Sequence, residues 1–179
     1  TRLLVARFNL IPELNRLIDK EIELAEKGRG GRIILKMNAL QDPIMIDRLY
    51  EASQKGVKID LIVRGICCLI PGQEYSCNIR VTRIVDSFLE HARIWYFGNA
   101  GHPKLRPNRP HDRMVVPILD HELREEIVDM LHIQLSDNQK ACFVDDKLNN
   151  IFKFKTNAAP VRAQYTFYNY LKEKNETFL

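Results

Sequence analysis

The chain has 179 residues, 45% of them hydrophobic and 28% charged, with a net charge of +4. That composition suits one substantial α/β-sized domain, residues 1–179, with a real core, and leaves a second full domain cramped. The basic residues are spread out apart from a local excess at Lys104 to Arg113, no apolar run approaches the ~18 residues of a membrane helix, and no signal-peptide pattern is present, so neither nucleic-acid binding nor membrane insertion is expected.

Leu3 to Arg7 reads as a short strand, and Asn9 and Pro12 signal the start of a helix. Leu14, Leu17, Ile18, Glu21, Ile22, Leu24 and Ala25 recur at helical spacing, which predicts a helix from Pro12 to Lys27 that ends at Gly28, Gly30 and Gly31. Ile33 to Met37 is a second strand, ending at Asn38. Asp42 can cap a second helix with Pro43 in its first turn, and Ile46, Leu49, Tyr50 and Ala52 form its apolar face up to Gly56. Ile59 to Val63 is a third strand. This β-α-β-α-β order predicts a mostly parallel or mixed sheet with helices on both faces.

After Gly65 the chain turns at Pro71-Gly72 and re-enters as a strand from Ile79 to Val85. Phe88 to His91 leads into a strand from Arg93 to Phe97. Gly98 to His111, rich in Gly, Pro, Asn and Arg and without periodicity, is expected to be a mobile loop. Met114 to Leu119 is read as a strand. Asp120 caps a helix to Leu135 with Leu123, Ile127, Met130 and Leu131 inward, Cys142 to Val144 and Ile151 to Phe154 form a hairpin, and Pro160 to Lys174 is a closing helix.

The candidate chemistry is basic. Lys58 to Gly65 is an apolar run that stops at Arg64-Gly65, which sets a cation at the carboxyl rim of a sheet, where open α/β folds bind ligands. A guanidinium there can grip phosphate oxygens in pairs, and Gly65 lets a backbone approach closely. Two residues apart on one strand means one face, about 6.6 Å apart, so His91 and Arg93 are expected to share a ligand. Histidine can exchange a proton near neutral pH. Lys36 and Asn38 end the strand beside Arg64 and are read as a helix-capping polar cluster, with Asn38 kept as a weaker phosphate-site candidate. His121 and His132 are about 16 Å apart along a helix, too far for one metal. Gly28-Arg29-Gly30-Gly31 lies between a helix and a strand, so it is a turn and no nucleotide fingerprint. Cys67, Cys68, Cys77 and Cys142 fit neither a disulfide framework nor a zinc site, and are read as reduced structural thiols of a cytosolic protein. The chain begins without Met, directly in an apolar segment, and is read as a piece of a longer polypeptide.

His91-x-Arg93 is similar to the His-x-Lys half of the phospholipase-D-type motif, but the aspartate position holds Gly98; His102-x-Lys104 fails as well, with Arg109 in that slot. The segments Ile34 to Leu40, Leu49 to Ser53 and Val57 to Cys68, with Asn78 to Val81, Phe88 to His91 and Val161 to Gln164, resemble in order the C-terminal catalytic domain of the bacterial polyphosphate kinases. The resemblance implies a phospholipase-D-like domain, the second of two that share one site. It implies reversible transfer of the terminal phosphoryl group of ATP to inorganic polyphosphate, with the phosphorylated histidine in a preceding domain. Arg64 would contact the nucleotide phosphates, and His91 would act as general acid or phosphate ligand. The residue reading adds Arg80 and Arg93. Mg²⁺ would accompany ATP, with its ligands outside this chain. The resemblance further implies a cytoplasmic protein, membrane-associated in some full-length forms, and a homo-oligomer. Leu105 is followed at once by Arg106-Pro107-Asn108-Arg109-Pro110, where the family carries a Ser-Ala-Asp-Trp-Met-like run, so that segment is either missing here or diverged, and its family contacts are not carried over. Two other readings stay open: a stand-alone phosphodiesterase or nuclease, and a non-catalytic module that binds polyphosphate or nucleotide.

Overall fold

The computed structural model describes residues 4–5, 9–101, 104–108, 114–115, 117–154 and 158–176. Among these residues nine strands form one mixed sheet: β1 (Leu4–Val5), β2 (Arg32–Met37), β3 (Lys58–Val63), β4 (Ile79–Ile84), β5 (Arg93–Phe97), β6 (Lys104–Asn108), β7 (Met114–Val115), β8 (Ala141–Val144) and β9 (Asn150–Phe152). Their order across the sheet is β1-β7-β6-β5-β2-β3-β4-β8-β9. The described residues also form four α-helices: α1 (Leu10–Glu26), α2 (Pro43–Gln54), α3 (His121–Ser136) and α4 (Ala163–Glu176).

Parallel pairing is confined to β2, β3 and β4, and the outer strands join antiparallel. β1 lies at the far edge against β7, so the first of the expected β-α-β units does not close onto the parallel centre. The central strands are apolar on both faces because both faces are covered. Ile33, Leu35, Ile59, Leu61, Val63, Ile79 and Val81 pack under Leu14, Leu17, Ile18, Ile46 and Leu49 of α1 and α2. Ile34, Ile62, Ile84 and Ile94 pack under Leu131 of α3 and Ala163 of α4. Each Val, Leu or Ile side chain so buried contributes roughly 1.5–3 kcal/mol.

The helix ends follow their sequence signals. Asp42 Oδ1 accepts from Met45 N at 2.8 Å with Pro43 in the first turn, and Asp120 Oδ1 accepts from Leu123 N at 2.8 Å. Glu21, on the inward face of α1, is buried because its carboxylate accepts from Arg32 N (3.0 Å) and Asn99 N (2.7 Å), tying the helix to the start of β2 and the exit of β5. Leu123, expected inward, is 45% exposed, while Ile127, Met130 and Leu131 join the core.

The main departure is β6. The stretch expected as a mobile loop contains a strand over Lys104–Asn108, paired antiparallel with β5 from Arg93↔Asn108 to Phe97↔Lys104. Local propensity is poor there, with Pro107 inside the strand, so pairing with β5 supplies the order. His102 and His111 lie outside the described residues. No helix among the described residues is long and apolar enough to cross a membrane.

Candidate phosphate-binding rim

Two chain exits, from β2 and β3, and the entry to β5 meet at the carboxyl end of the parallel strands. β2 and β3 run in register from Arg32↔Lys58 to Met37↔Val63, which puts Asn38 beside Arg64. The pairing continues past both strands: Arg64 N donates to Met37 O (3.2 Å), Gly65 N to Asn38 O (2.8 Å) and Leu40 N to Ile66 O (2.9 Å). A Cβ on Gly65 would lie 3.0 Å from the Asn38 carbonyl oxygen, so the glycine serves the close approach of these two exits. β5 runs antiparallel beside β2 with Ile94 opposite Lys36, which starts it, at Arg93, at the same end.

Arg64 and Arg93 are half-buried there, and neither side chain has a hydrogen bond or ion pair among the described residues. Arg93 and Asn38 line an apolar cavity of about 370 Å³ together with Leu14, Met37, Leu40 and Trp95. Asn38 Oδ1 is buried without a partner among the described residues. Arg83, which sequence reasoning missed, braces the rim from β4: Nη2 donates to Gly65 O (2.7 Å) and Nη1 to Asn150 Oδ1 (2.8 Å). Only three-dimensional pairing brings it to the exit of β3.

His91 precedes β5, which begins at Arg93, so strand alternation does not relate the two side chains. Both lie at this rim, but the one-face expectation is replaced by a loop whose position is set by side chains. Glu90 pairs with Lys36 and accepts from Gln134. Lys36 therefore caps no helix: it is a buried strand cation neutralised by the residue next to His91.

Arg80 is placed elsewhere. It sits near the amino end of β4, opposite Asp60 of β3, and donates from Nε to Asp60 Oδ1 (2.8 Å) and from Nη2 to Oδ2 (3.2 Å). Arg32 holds the same carboxylate, which is 1% exposed. The structure brings Asn38, Arg64, His91 and Arg93 to one end and leaves Arg80 paired at the other.

The four cysteines are unpaired: Cys67 and Cys142 are buried, which pushes both thiols up and away from thiolate chemistry, while Cys68 and Cys77 are exposed. His121 lies near Glu125 on the exposed face of α3. Among the described residues no group of three or more His, Cys, Asp or Glu could hold a metal ion. At the rim, Asp42 caps α2 and Glu90 is committed to Lys36, so these residues do not fit a Mg²⁺ cage.

Comparison with known proteins gives a consistent picture. Residues 3–164 match the family described as polyphosphate kinase C-terminal domain 2. Polyphosphate kinase 1 of Chlorobaculum tepidum is 42% identical over 98% of this chain and 26% of its own length. The polyphosphate kinase of Klebsiella pneumoniae is 41% identical over 95% of this chain and 26% of its own. The chain thus spans about a quarter of these relatives. A crystal structure of polyphosphate kinase from Porphyromonas gingivalis superposes with a TM-score of 0.95 at 50% identity, covering 99% of this chain and 29% of that one.

Proposed function

The chain belongs to the polyphosphate kinase family as its C-terminal domain 2, and we propose that it supplies one half of a phosphotransferase site that moves the terminal phosphoryl group of ATP, reversibly, to inorganic polyphosphate. The observation that carries this reading is the pair of cations Arg64 and Arg93 at the carboxyl rim, without partners among the described residues, beside Asn38. A half-buried guanidinium without a carboxylate partner keeps its fork of donors available to an anion. The other half of the site, including the histidine that is phosphorylated, belongs in this reading to a preceding domain of the polypeptide, and the whole acts as a homo-oligomer.

Phosphoryl transfer depends mainly on positioning and on neutralising the oxygens of the transferring group. Arg64 offers a planar fork that binds two phosphate oxygens together. Arg93 and the Asn38 carboxamide extend the same rim, and His91 supplies a proton donor to the departing ADP oxygen or a hydrogen bond to a phosphate. Mg²⁺ enters with ATP; its ligands lie outside the residues described here, and no step of this chain depends on it.

Calorimetric titration of the chain with polyphosphate and with Mg-ATP tests the reading. Arg64→Ala should weaken binding by about 1.5–3 kcal/mol, the size of a hydrogen bond to a charged group, with Arg93→Ala and His91→Ala also weaker than wild type. If wild type binds and all three variants bind as tightly, the rim is not the site.

A further inference from the structure

The loop Val85 to Ala92 carries His91 to the rim, yet it has no strand pairing of its own. It is held from the side by the head of α4. Arg162 donates from Nε to Asp86 Oδ2 (2.8 Å), and from Nη2 to Asp86 Oδ1 (2.6 Å) and Ser87 Oγ (2.9 Å). Gln164 takes the next contact. Its Oε1 accepts from Phe88 N at 2.9 Å and its Nε2 donates to Phe88 O at 2.7 Å, so one carboxamide satisfies both backbone groups of a single residue, as a neighbouring strand would. The same Nε2 lies 3.3 Å from Glu90 Oε1, and Glu90 is fixed on its other oxygen by Lys36 and Gln134.

The consequence for His91 is geometric. Glu90 immediately precedes it, and Arg93, two residues later, is already in the β5 ladder. The backbone is therefore pinned on both sides of His91. Only a neutral carboxamide fits position 164: the Phe88 pair needs one acceptor and one donor, and a carboxylate would lack the donor and face the Glu90 carboxylate.

We infer that Gln164 is the positioning residue for His91, holding the loop through Phe88 and Glu90 so that the imidazole stands at the rim before substrate arrives. This rests on the role proposed for His91 above, but half of its test does not. Gln164→Ala and the near-isosteric Gln164→Glu are compared with wild type in the full-length enzyme, with Tyr168→Ala, an exposed residue one turn further along α4, as control. Hydrogen exchange read by mass spectrometry should accelerate at least about tenfold in the peptide covering 85–92 for both Gln164 variants, with little change elsewhere. Their kcat, counted per folded molecule with the folded fraction fixed by circular dichroism and thermal melting, should fall about tenfold while KM for ATP holds; Tyr168→Ala should change neither.

Unchanged exchange at 85–92 in both variants overturns the inference. So does accelerated exchange with full kcat when His91→Ala abolishes turnover, because the loop would then be loosened without consequence. If His91→Ala itself keeps full turnover, the functional reading of the rim has failed, and the exchange result alone decides whether Gln164 holds the loop.

Discussion

Arg162 grips Asp86 through two parallel hydrogen bonds, at 2.8 and 2.6 Å, across 76 residues of sequence. The guanidinium holds the Asp86 carboxyl at about 2, well below its ordinary 3.8. A depressed carboxylate is deprotonated in the folded protein while the unfolded chain still takes up a proton, so stability from the pair is full above about pH 4 and is lost as pH falls toward 2.

Asp86→Asn should therefore cost about 1.5–3 kcal/mol at neutral pH, toward the lower end because the Arg162 side chain is 37% exposed and screened by water. The variant should also lose that part of the acid sensitivity lying between about pH 4 and 2. Urea titrations across that range check both; wild type and variant losing stability in parallel below pH 4 would contradict the assigned cause.

Asp137 offers a stronger case. It is 1% exposed. Its Oδ1 accepts from Gln139 N, Lys140 N and Ala141 N (2.9, 2.7 and 2.9 Å), and its Oδ2 from Ala163 N at 2.7 Å. One carboxylate thus turns the chain from α3 into β8 and also caps α4. Asp137→Ala leaves these donors without their acceptor, each costing about 1–3 kcal/mol where water cannot enter, so a total of at least about 3 kcal/mol is expected in guanidinium unfolding. Asp137→Asn, which keeps one good acceptor oxygen, should recover part of it.

How far the sequence carries depends on which interactions are local. The helix starts at Asp42 and Asp120 and the central strands were readable, because capping and alternation act within a few residues. The position of Arg64 was readable for the same reason: a strand that stops at Arg-Gly ends at a rim. β6 was not, because Pro107 and Asn108 argue against a strand and pairing with β5 and β7 overrides them. The shared face of His91 and Arg93 was argued from strand alternation, and β5 begins only at Arg93, so alternation does not extend to His91. What holds His91 comes from Gln164 and Gln134, 76 and 44 residues from their partners, and no periodicity reports contacts at that separation. Arg80 looked identical in sequence to a ligand-binding arginine; its commitment to Asp60 depends on the register of β3 against β4.

Gly65 makes a prediction about the rim itself. Its Cα hydrogen faces the Asn38 carbonyl, and a Cβ would sit 3.0 Å from that oxygen. Both exits are held by backbone hydrogen bonds on either side, so the neighbour cannot give cheaply. Gly65→Ala should lower stability by about 1 kcal/mol and, by displacing Arg64, weaken polyphosphate binding more than its stability loss explains. Paired melting and calorimetry separate the two; full affinity in the variant would mean Arg64 does not depend on this exit geometry.

The buried Asp60 tests whether Arg80 has a structural role. Its carboxylate is held by Arg32 from β2 and by Arg80 from β4, so it joins the three parallel strands through charge. Arg80→Met alone leaves Arg32 in place and should cost about 1 kcal/mol, as expected for a pair whose arginine is 66% exposed. Removing both cations, Arg32→Met with Arg80→Met, strands a buried charge and should cost about 3–5 kcal/mol. The two losses should then be non-additive, the double variant exceeding the sum of the singles, because only the last cation to leave exposes the bare carboxylate. Urea unfolding of the two single variants and the double variant gives the coupling directly. Simple additivity would show that Asp60 is neutralised by something other than these two arginines, and would return Arg80 to the pool of cations available to a ligand.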